Sequence, residues 1–157
     1  MQGSTPPSQP AVKNSYRGIS SDQVFLTETA MNELRTHLSF TQLRFYCSKQ
    51  QGRTFHITTA ANSSGEAVVQ YFSGQTNVNP ASCGSFVRME NDNSKLAGSC
   101  NQWYKDVWGN SGDQDRLYNH AAFVYGAHHW LLAGSRWECD DIKVGVSSGD
   151  FWKVFVR

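Results

Sequence analysis

The side chains most suited to chemistry lie after Cys100, in the C-terminal part of the chain. All five tryptophans follow that residue, and Trp103 and Trp108 lie in the polar segment NQWYKDVWGN. Aromatic rings among amide and carboxylate groups are typical of a recognition surface, where a ring packs on the apolar face of a sugar and polar groups bind its hydroxyls. The segment RLYNHA adds further hydrogen-bonding groups. The predicted ligand-binding residues are Trp103, Tyr104, Trp108, Arg116, Tyr118 and Asn119.

Two alternatives to a sugar site stay open for these aromatic residues. The same composition describes the anchors of protein–protein interfaces, where Trp, Tyr and Arg dominate the binding energy. Tryptophan is also highly buried on average, so Trp103 and Trp108 could instead cap the core beneath a long loop. The exposure of these two indoles decides between a surface site and a core role.

Aspartates near the aromatic segment suggest a calcium ion as an aid to binding. Calcium takes roughly six to eight oxygen ligands, many of them carboxylates on loops. Two aspartates lie in the Gly-rich stretch WGNSGDQD and two more end a predicted strand, although the chain has no EF-hand pattern. A solvated acidic loop is the alternative interpretation. The candidate calcium ligands are Asp113, Asp115, Asp140 and Asp141.

Three closely spaced histidines raise the alternative of a metal-dependent hydrolase. His120 and His128, with Asp140 after the next predicted strand, have the residue types of a transition-metal site. His128 and His129 are adjacent, so on a strand they point to opposite faces and only one of them can join a given site. Histidines that are simply hydrogen-bonded or interfacial are the alternative.

Other kinds of catalysis are not expected from the sequence. The chain lacks the phosphate-binding patterns GxGxxG and GxxxxGK followed by Ser or Thr. We expect no nucleophile elbow of a serine hydrolase. A catalytic cysteine needs a free thiol of low pKa, which paired cysteines lack. We therefore predict a binding module without catalytic residues.

The four cysteines are widely spread and form no CxxC pair, which is typical of a disulfide-stabilised secreted domain. Among the pairings they allow, we favour Cys83–Cys100, which closes a short polar loop, and Cys47–Cys139, which ties an early strand to a late one. A glycosylation sequon at Asn62, in the polar stretch AANSSGE, also favours secretion. Four buried free thiols in a cytosolic protein are the alternative.

The elements that must position these residues are mostly short strands. Thr27 can cap a helix in which Met31, Leu34 and Leu38 share one face. Beyond it, β-rich runs alternate with Gly, Asn and Ser turns, and residues 67–72 are predicted as the third strand of a meander. The pattern predicts a mainly β fold, an antiparallel β-sandwich or jelly-roll-like arrangement, with one short N-terminal helix.

Composition divides the chain into a flexible linker or tail at residues 1–18 and a single β-rich domain at residues 19–157. The first segment is rich in Pro, Gly, Ser and Gln and has no apolar signal-peptide core. The domain ends on a predicted strand without a polar tail. We therefore expect a module of a longer secreted or extracellular chain.

The overall charge restricts the classes of partner. The chain has 157 residues and a formal net charge of +1, which argues against nucleic acid as a partner. No apolar run approaches the ~20 residues that cross a bilayer, so we expect no membrane insertion. We predict a secreted or cell-surface module that recognises carbohydrate or glycoprotein, with calcium as a candidate cofactor. The alternatives are a protein-interaction or matrix-assembly module that can self-associate, and the metal-dependent hydrolase.

Overall fold

The structure is a computed structural model that describes residues 16–20, 23–49, 52–110, 116–133 and 136–157. Within these residues the chain forms antiparallel sheets with few short helices, so the prediction of a mainly β fold is confirmed. The elements in chain order are β1 (Tyr16–Ser20), β2 (Gln23–Leu26), α1 (Glu28–Leu38), β3 (Leu43–Ser48), β4 (Thr54–Thr59), α2 (Ser63–Phe72), β5 (Phe86–Arg88), α3 (Lys95–Gly98), β6 (Ala122–Val124), β7 (His128–Ala133), β8 (Arg136–Asp141) and β9 (Phe151–Val156).

Two sheets make up most of the fold. The larger has the strand order β5–β4–β3–β9 and the smaller β6–β7–β8, while β1 and β2 form a separate hairpin. The predicted hairpin of β3 and β4 is confirmed, with Phe45 opposite Ile57 at its centre. Strand β9 returns to pair with β3 along its whole length, which places β9 at one edge of the larger sheet.

Helix α2 replaces a strand that the sequence predicts at residues 67–72. Asn62 caps the helix, because its side-chain oxygen accepts a hydrogen bond of 3.0 Å from the Gly65 N–H. Gly65 is required there, since a Cβ would lie 1.8 Å from the Ala60 carbonyl oxygen. The strand prediction is wrong because the apolar residues Val68, Val69, Tyr71 and Phe72 are buried at helical spacing against the sheet.

The predicted N-terminal helix is confirmed as α1. The Thr27 hydroxyl accepts a hydrogen bond of 3.3 Å from the Ala30 N–H, and Glu28 lies in the first turn, where its negative charge suits the helix dipole. The helix ends at Ser39, which adopts a left-handed conformation with φ of 51°. Met31 of this helix is fully buried in the core.

The core is centred on Phe45 of β3. Its ring lies 5.2 Å from that of Phe72, 5.1 Å from that of Trp108 and 5.7 Å from that of Trp130, measured between centroids. These contacts join α2, the larger sheet and the smaller sheet in one cluster. The two sheets therefore share a single core, as sandwich-like packing requires.

Both predicted disulfides are confirmed, so the described residues contain no free cysteine. Cys47 of β3 is bonded to Cys139 of β8, which links the two sheets covalently. Charged groups cluster beside this bridge: the Lys49 ammonium lies 2.9 Å from the Asp141 carboxylate. The Cys83–Cys100 bridge closes the polar loop that contains β5 and α3.

The predicted linker lies largely outside the described residues. Residues 1–15 are not among them, whereas residues 16–18 belong to β1. Among the helices of the described residues, none is long and apolar enough to cross a membrane.

Replacing Cys47 and Cys139 together by Ala should lower the free energy of unfolding by about 4–5 kcal/mol, because the bridge closes a loop with a sequence separation of 92. Urea denaturation followed by tryptophan fluorescence measures the loss. The matched control replaces Cys83 and Cys100, whose separation is 17, and should cost about 3 kcal/mol. A larger loss of unfolding free energy for the Cys83–Cys100 replacement than for the Cys47–Cys139 replacement would contradict this argument from loop length.

Candidate functional site

The tryptophans expected on a recognition surface are core residues. Trp103 is 2% exposed and Trp108 is fully buried. Their rings form an edge-to-face pair with centroids 4.9 Å apart, and each indole N–H is satisfied internally, by the Leu96 carbonyl and by the Ser85 hydroxyl. Their burial contradicts the surface prediction and supports the alternative that they cap the core beneath a loop.

Arg116 is also a structural residue rather than an exposed ligand group. Its buried guanidinium donates hydrogen bonds to the backbone carbonyls of Tyr71 and Thr76 and lies 3.0 Å from the Glu28 carboxylate. The same group packs over the Tyr71 ring at 4.3 Å. Arg116 therefore ties α1 to the end of α2, which corrects its predicted role as a ligand-binding residue.

The other predicted binding residues differ in their exposure. Tyr104 is 40% exposed, whereas Tyr118 and Asn119 are half-buried. The Asn119 side-chain oxygen accepts a hydrogen bond of 2.9 Å from the His120 N–H and lies 2.8 Å from His120 Nδ1. Tyr104 is thus the predicted residue best placed to contact a ligand, and Asn119 orients a histidine.

The predicted calcium ligands do not form a site within the described residues. The Asp140 carboxylate accepts hydrogen bonds from the Lys95 and Leu96 N–H groups at the start of α3 and pairs with Arg53 at 3.1 Å. Asp141 is buried against Lys49. Both carboxylates are therefore occupied by cationic side chains and backbone N–H groups, in place of the predicted calcium contacts. Asp113 and Asp115 lie outside the described residues.

Asn62 is exposed at the start of α2. Its side-chain oxygen is the helix cap. Glycosylation at its side-chain nitrogen stays a prediction.

The segment GVSSG at residues 145–149 fits the GxSxG pattern of a nucleophile elbow. It lies in an exposed loop between β8 and β9, and the Ser147 N–H donates a hydrogen bond of 2.7 Å to the Asp150 carboxylate. A nucleophile elbow requires a sharp turn from a strand into a helix, which this loop does not provide.

A cleft of about 440 Å³ opens beside the smaller sheet, and one of its walls is aromatic. Phe123 lies at its base, with the Tyr104 ring stacked on it at 5.2 Å between centroids. Tyr125 extends the wall, 6.2 Å from Tyr104, and is 81% exposed. The cleft therefore presents exposed aromatic surface above a buried ring.

Polar groups line much of the rest of the cleft. Asn110, His120, His129, Arg136 and Lys143 contribute amide, imidazole and cationic groups. Their chemistry suits hydroxyl groups or an anionic ligand, because they supply many donors. Of the predicted binding residues only Tyr104 lines this cleft, together with His120 from the hydrolase alternative.

Sequence reasoning missed the turn between β6 and β7, which supplies Tyr125. Gly126 in that turn has φ of 72°, a left-handed conformation that glycine adopts without steric cost. An aromatic residue next to such a glycine, between two short apolar runs, was the available signal of an exposed ring at a hairpin tip.

A buried carboxylate organises the base of the cleft. Glu138 is fully buried, and its oxygens accept hydrogen bonds from the Arg136 guanidinium at 2.8 and 3.1 Å and from the Lys143 N–H at 2.7 Å. Its second oxygen contacts Nδ1 of His129. A carboxylate only accepts hydrogen bonds, so Nδ1 of His129 must be the donor in this contact. Nε2, on the other side of the ring, therefore points away from Glu138.

Burial governs the protonation of His129, and hydrogen bonds and charges govern that of Glu138. Desolvation lowers the pKa of His129 below its ordinary 6.5, and the charge and hydrogen bond of Glu138 oppose only part of the effect, as does the Val124 carbonyl. For Glu138 burial acts to raise the pKa, but the Lys143 N–H, Arg136 and His129 together hold it below 4.5. At neutral pH the pair is a carboxylate and a neutral imidazole.

The predicted hydrolase cluster is divided between two environments. Burial lowers the pKa of His128, the charge of Asp140 opposes this, and Arg53 and Lys95 act in the same direction as burial. His120 instead packs edge-to-face against His129, with ring centroids 4.8 Å apart. The grouping of His120 with His128 and Asp140 is therefore wrong, because adjacent strand residues face opposite sides.

Comparisons of the chain with models of known protein families, with curated proteins and with solved structures give no match. The function is therefore argued from the site itself.

The neutral, buried His129 makes stability depend on pH. Its folded pKa is lower than its unfolded one, so the unfolded chain binds more protons below pH 6.5, and the free energy of unfolding should fall as the pH decreases through that value. In His129→Asn the fall in the free energy of unfolding between about pH 7.5 and about pH 5.5 should be smaller than in wild type. Urea denaturation at the two pH values measures it.

The control for the pH experiment is His37→Asn, because His37 is exposed on α1. It should retain the wild-type fall. The window stays above the range in which Glu138 takes up a proton, so its titration does not contribute. A fall of the same size in His129→Asn and wild type contradicts the assignment of a neutral, buried His129.

Proposed function

We propose that the protein is a secreted or cell-surface binding module that holds a carbohydrate or glycoprotein ligand in the cleft beside the smaller sheet. The observation that carries the proposal is the pair of exposed rings, Tyr104 and Tyr125, above the buried ring of Phe123. The two aromatic side chains of the cleft wall are exposed although most of the large apolar residues are buried in the core.

The aromatic wall supports a ligand with an apolar face. Sugar rings have such faces, and a tyrosine offers a rigid ring at low cost in conformational entropy together with a hydroxyl that donates and accepts hydrogen bonds. Stacking of Tyr104 on Phe123 supports the ring from behind, so it need not be ordered when a ligand binds.

The polar side of the cleft supports a hydroxylated or negatively charged ligand. Lys143 and Arg136 line it with Asn110. The buried Glu138 already pairs with Arg136, so the cleft has a partly neutralised cation at its base and the Lys143 cation at its side. Sugars carrying carboxylate or sulfate groups fit this charge better than cationic ligands.

Two disulfides support an extracellular location, because such bonds persist in oxidising compartments and are rare in the cytosol. The polar and aromatic cleft suits binding of glycans at a cell surface or in the matrix. The predicted sequon at Asn62 agrees with the same location.

A protein ligand, or a second copy of the chain, is the second candidate. Tyr125 is 81% exposed at the tip of a turn, and exposed tyrosines are frequent anchors of protein interfaces. Light scattering at several protein concentrations separates the candidates: a strict monomer that binds glycans favours the first, and concentration-dependent dimers that Tyr125→Ala abolishes favour the second.

A glycan array that includes carboxylated and sulfated sugars, followed by calorimetry on the best binder, tests the proposed function. Tyr104→Ala and Tyr125→Ala should each weaken the affinity roughly tenfold, as loss of a stacking anchor does. A chelator of calcium should leave the affinity unchanged, since the cleft is lined by nitrogen donors and aromatic rings.

The matched control is Leu38→Ala, which removes exposed apolar surface on α1, away from the lining of the cleft. It should bind as wild type does. No glycan bound by the wild-type chain, or equal losses in Leu38→Ala and Tyr125→Ala, would falsify the proposal.

A further inference from the structure

We propose that His120 and His129 bind a divalent transition-metal ion of the zinc or copper type at the base of the cleft. The inference goes beyond the proposed binding of glycans and does not depend on it. Among the described residues, His120, His129 and Glu138 form the group whose potential ligand atoms all lie within 4.8 Å of one another.

The spacing of the group is close to that of a metal site. Two nitrogens bound to a tetrahedral zinc ion, each about 2.1 Å away, lie roughly 3.4 Å apart. The limit of 4.8 Å covers all three residues, Glu138 included, and is wider than this spacing. His120 is only half-buried, so its ring can rotate to bring the two histidine nitrogens closer, whereas His129 is held by its contact with Glu138.

A second observation points to a ligand at His129. Its side chain is 5% exposed, and its Nε2 is buried without a hydrogen-bond partner. A buried polar atom left unpaired costs free energy, so a partner at this nitrogen would stabilise the folded chain. A metal ion bound at Nε2 would satisfy this atom.

Glu138 acts as an outer partner of the site, which means that it binds a metal-ligating histidine rather than the metal itself. In metalloproteins a histidine ligand commonly donates its other ring N–H to a carboxylate, which fixes the tautomer and makes the free nitrogen a better ligand. Nδ1 of His129 contacts Glu138 in this way, and Arg136 and the Lys143 N–H hold Glu138 in turn. These contacts occupy the carboxylate, so we assign it a positioning role.

The chemistry of the donors selects the class of metal. Imidazole nitrogen suits zinc, copper and nickel, whereas calcium and magnesium require oxygen ligands. Two protein ligands leave coordination positions open, and both histidines line the cleft. Those positions are available to water or to an oxygen atom of a ligand in the cleft.

Calorimetric titration of zinc chloride into the full, disulfide-bonded chain tests the proposal without any glycan, so its failure is distinguishable from failure of the proposed function. We expect saturable binding of a single ion per chain. His120→Ala and His129→Ala should each weaken the affinity at least tenfold, and Glu138→Gln by about tenfold, as loss of an outer partner does.

The matched control is His128→Ala, because His128 neighbours His129 on the same strand but does not line the cleft and interacts electrostatically with Asp140. It should bind zinc as wild type does. Electron paramagnetic resonance of the copper(II) form should show coupling to two imidazole nitrogens in wild type and to one in His120→Ala. If His129→Ala fails to fold, His120→Ala still tests the proposal, because His120 is only half-buried.

Absence of saturable zinc binding overturns the proposal. Unchanged affinity in His120→Ala overturns it as well, as does a loss in His128→Ala equal to that in His120→Ala, since binding would then not use the cleft.

Discussion

The covalent link between Cys47 and Cys139 is the constraint on which the rest of the structure depends. It joins β3 at the centre of the larger sheet to β8 at the edge of the smaller sheet, across a sequence separation of 92. Chain segments so far apart lose much entropy when they meet, and the bridge removes most of that cost from folding. It therefore lets a small domain hold two sheets against one core.

The same junction explains why so many charges are buried near it. Lys49 and Asp141 pair beside the bridge, and Asp140 joins Arg53 to the start of α3. Buried charges are tolerated only when they are paired and hydrogen-bonded, as these are. Strand β8 of the smaller sheet is thereby fixed against the larger sheet, and its residue Glu138 can hold His129 at the base of the cleft.

Much of the fold could be predicted from local patterns. The capped helix at Thr27 and most strands follow from spacing and turn chemistry, because these signals act over a few residues. The disulfide pairing was favoured because one bridge closes a short polar loop and the other ties an early strand to a late one. The strand predicted at residues 67–72 failed because its apolar residues fit both periods. The Asn62 cap and the tight approach of Gly65 to Ala60 decide for a helix.

The sequence alone determined which kinds of residue form the candidate site, namely aromatic rings and histidines after Cys100. It did not determine which of those residues line the site. Only the tertiary structure decided that Trp103 is core and Tyr125 is surface, because burial depends on which elements pack above a residue. It also brought His129 to Glu138 through the pairing of β7 with β8. The register of this pair shifts between His129 and Trp130, so the contact does not follow from simple alternation along the two strands.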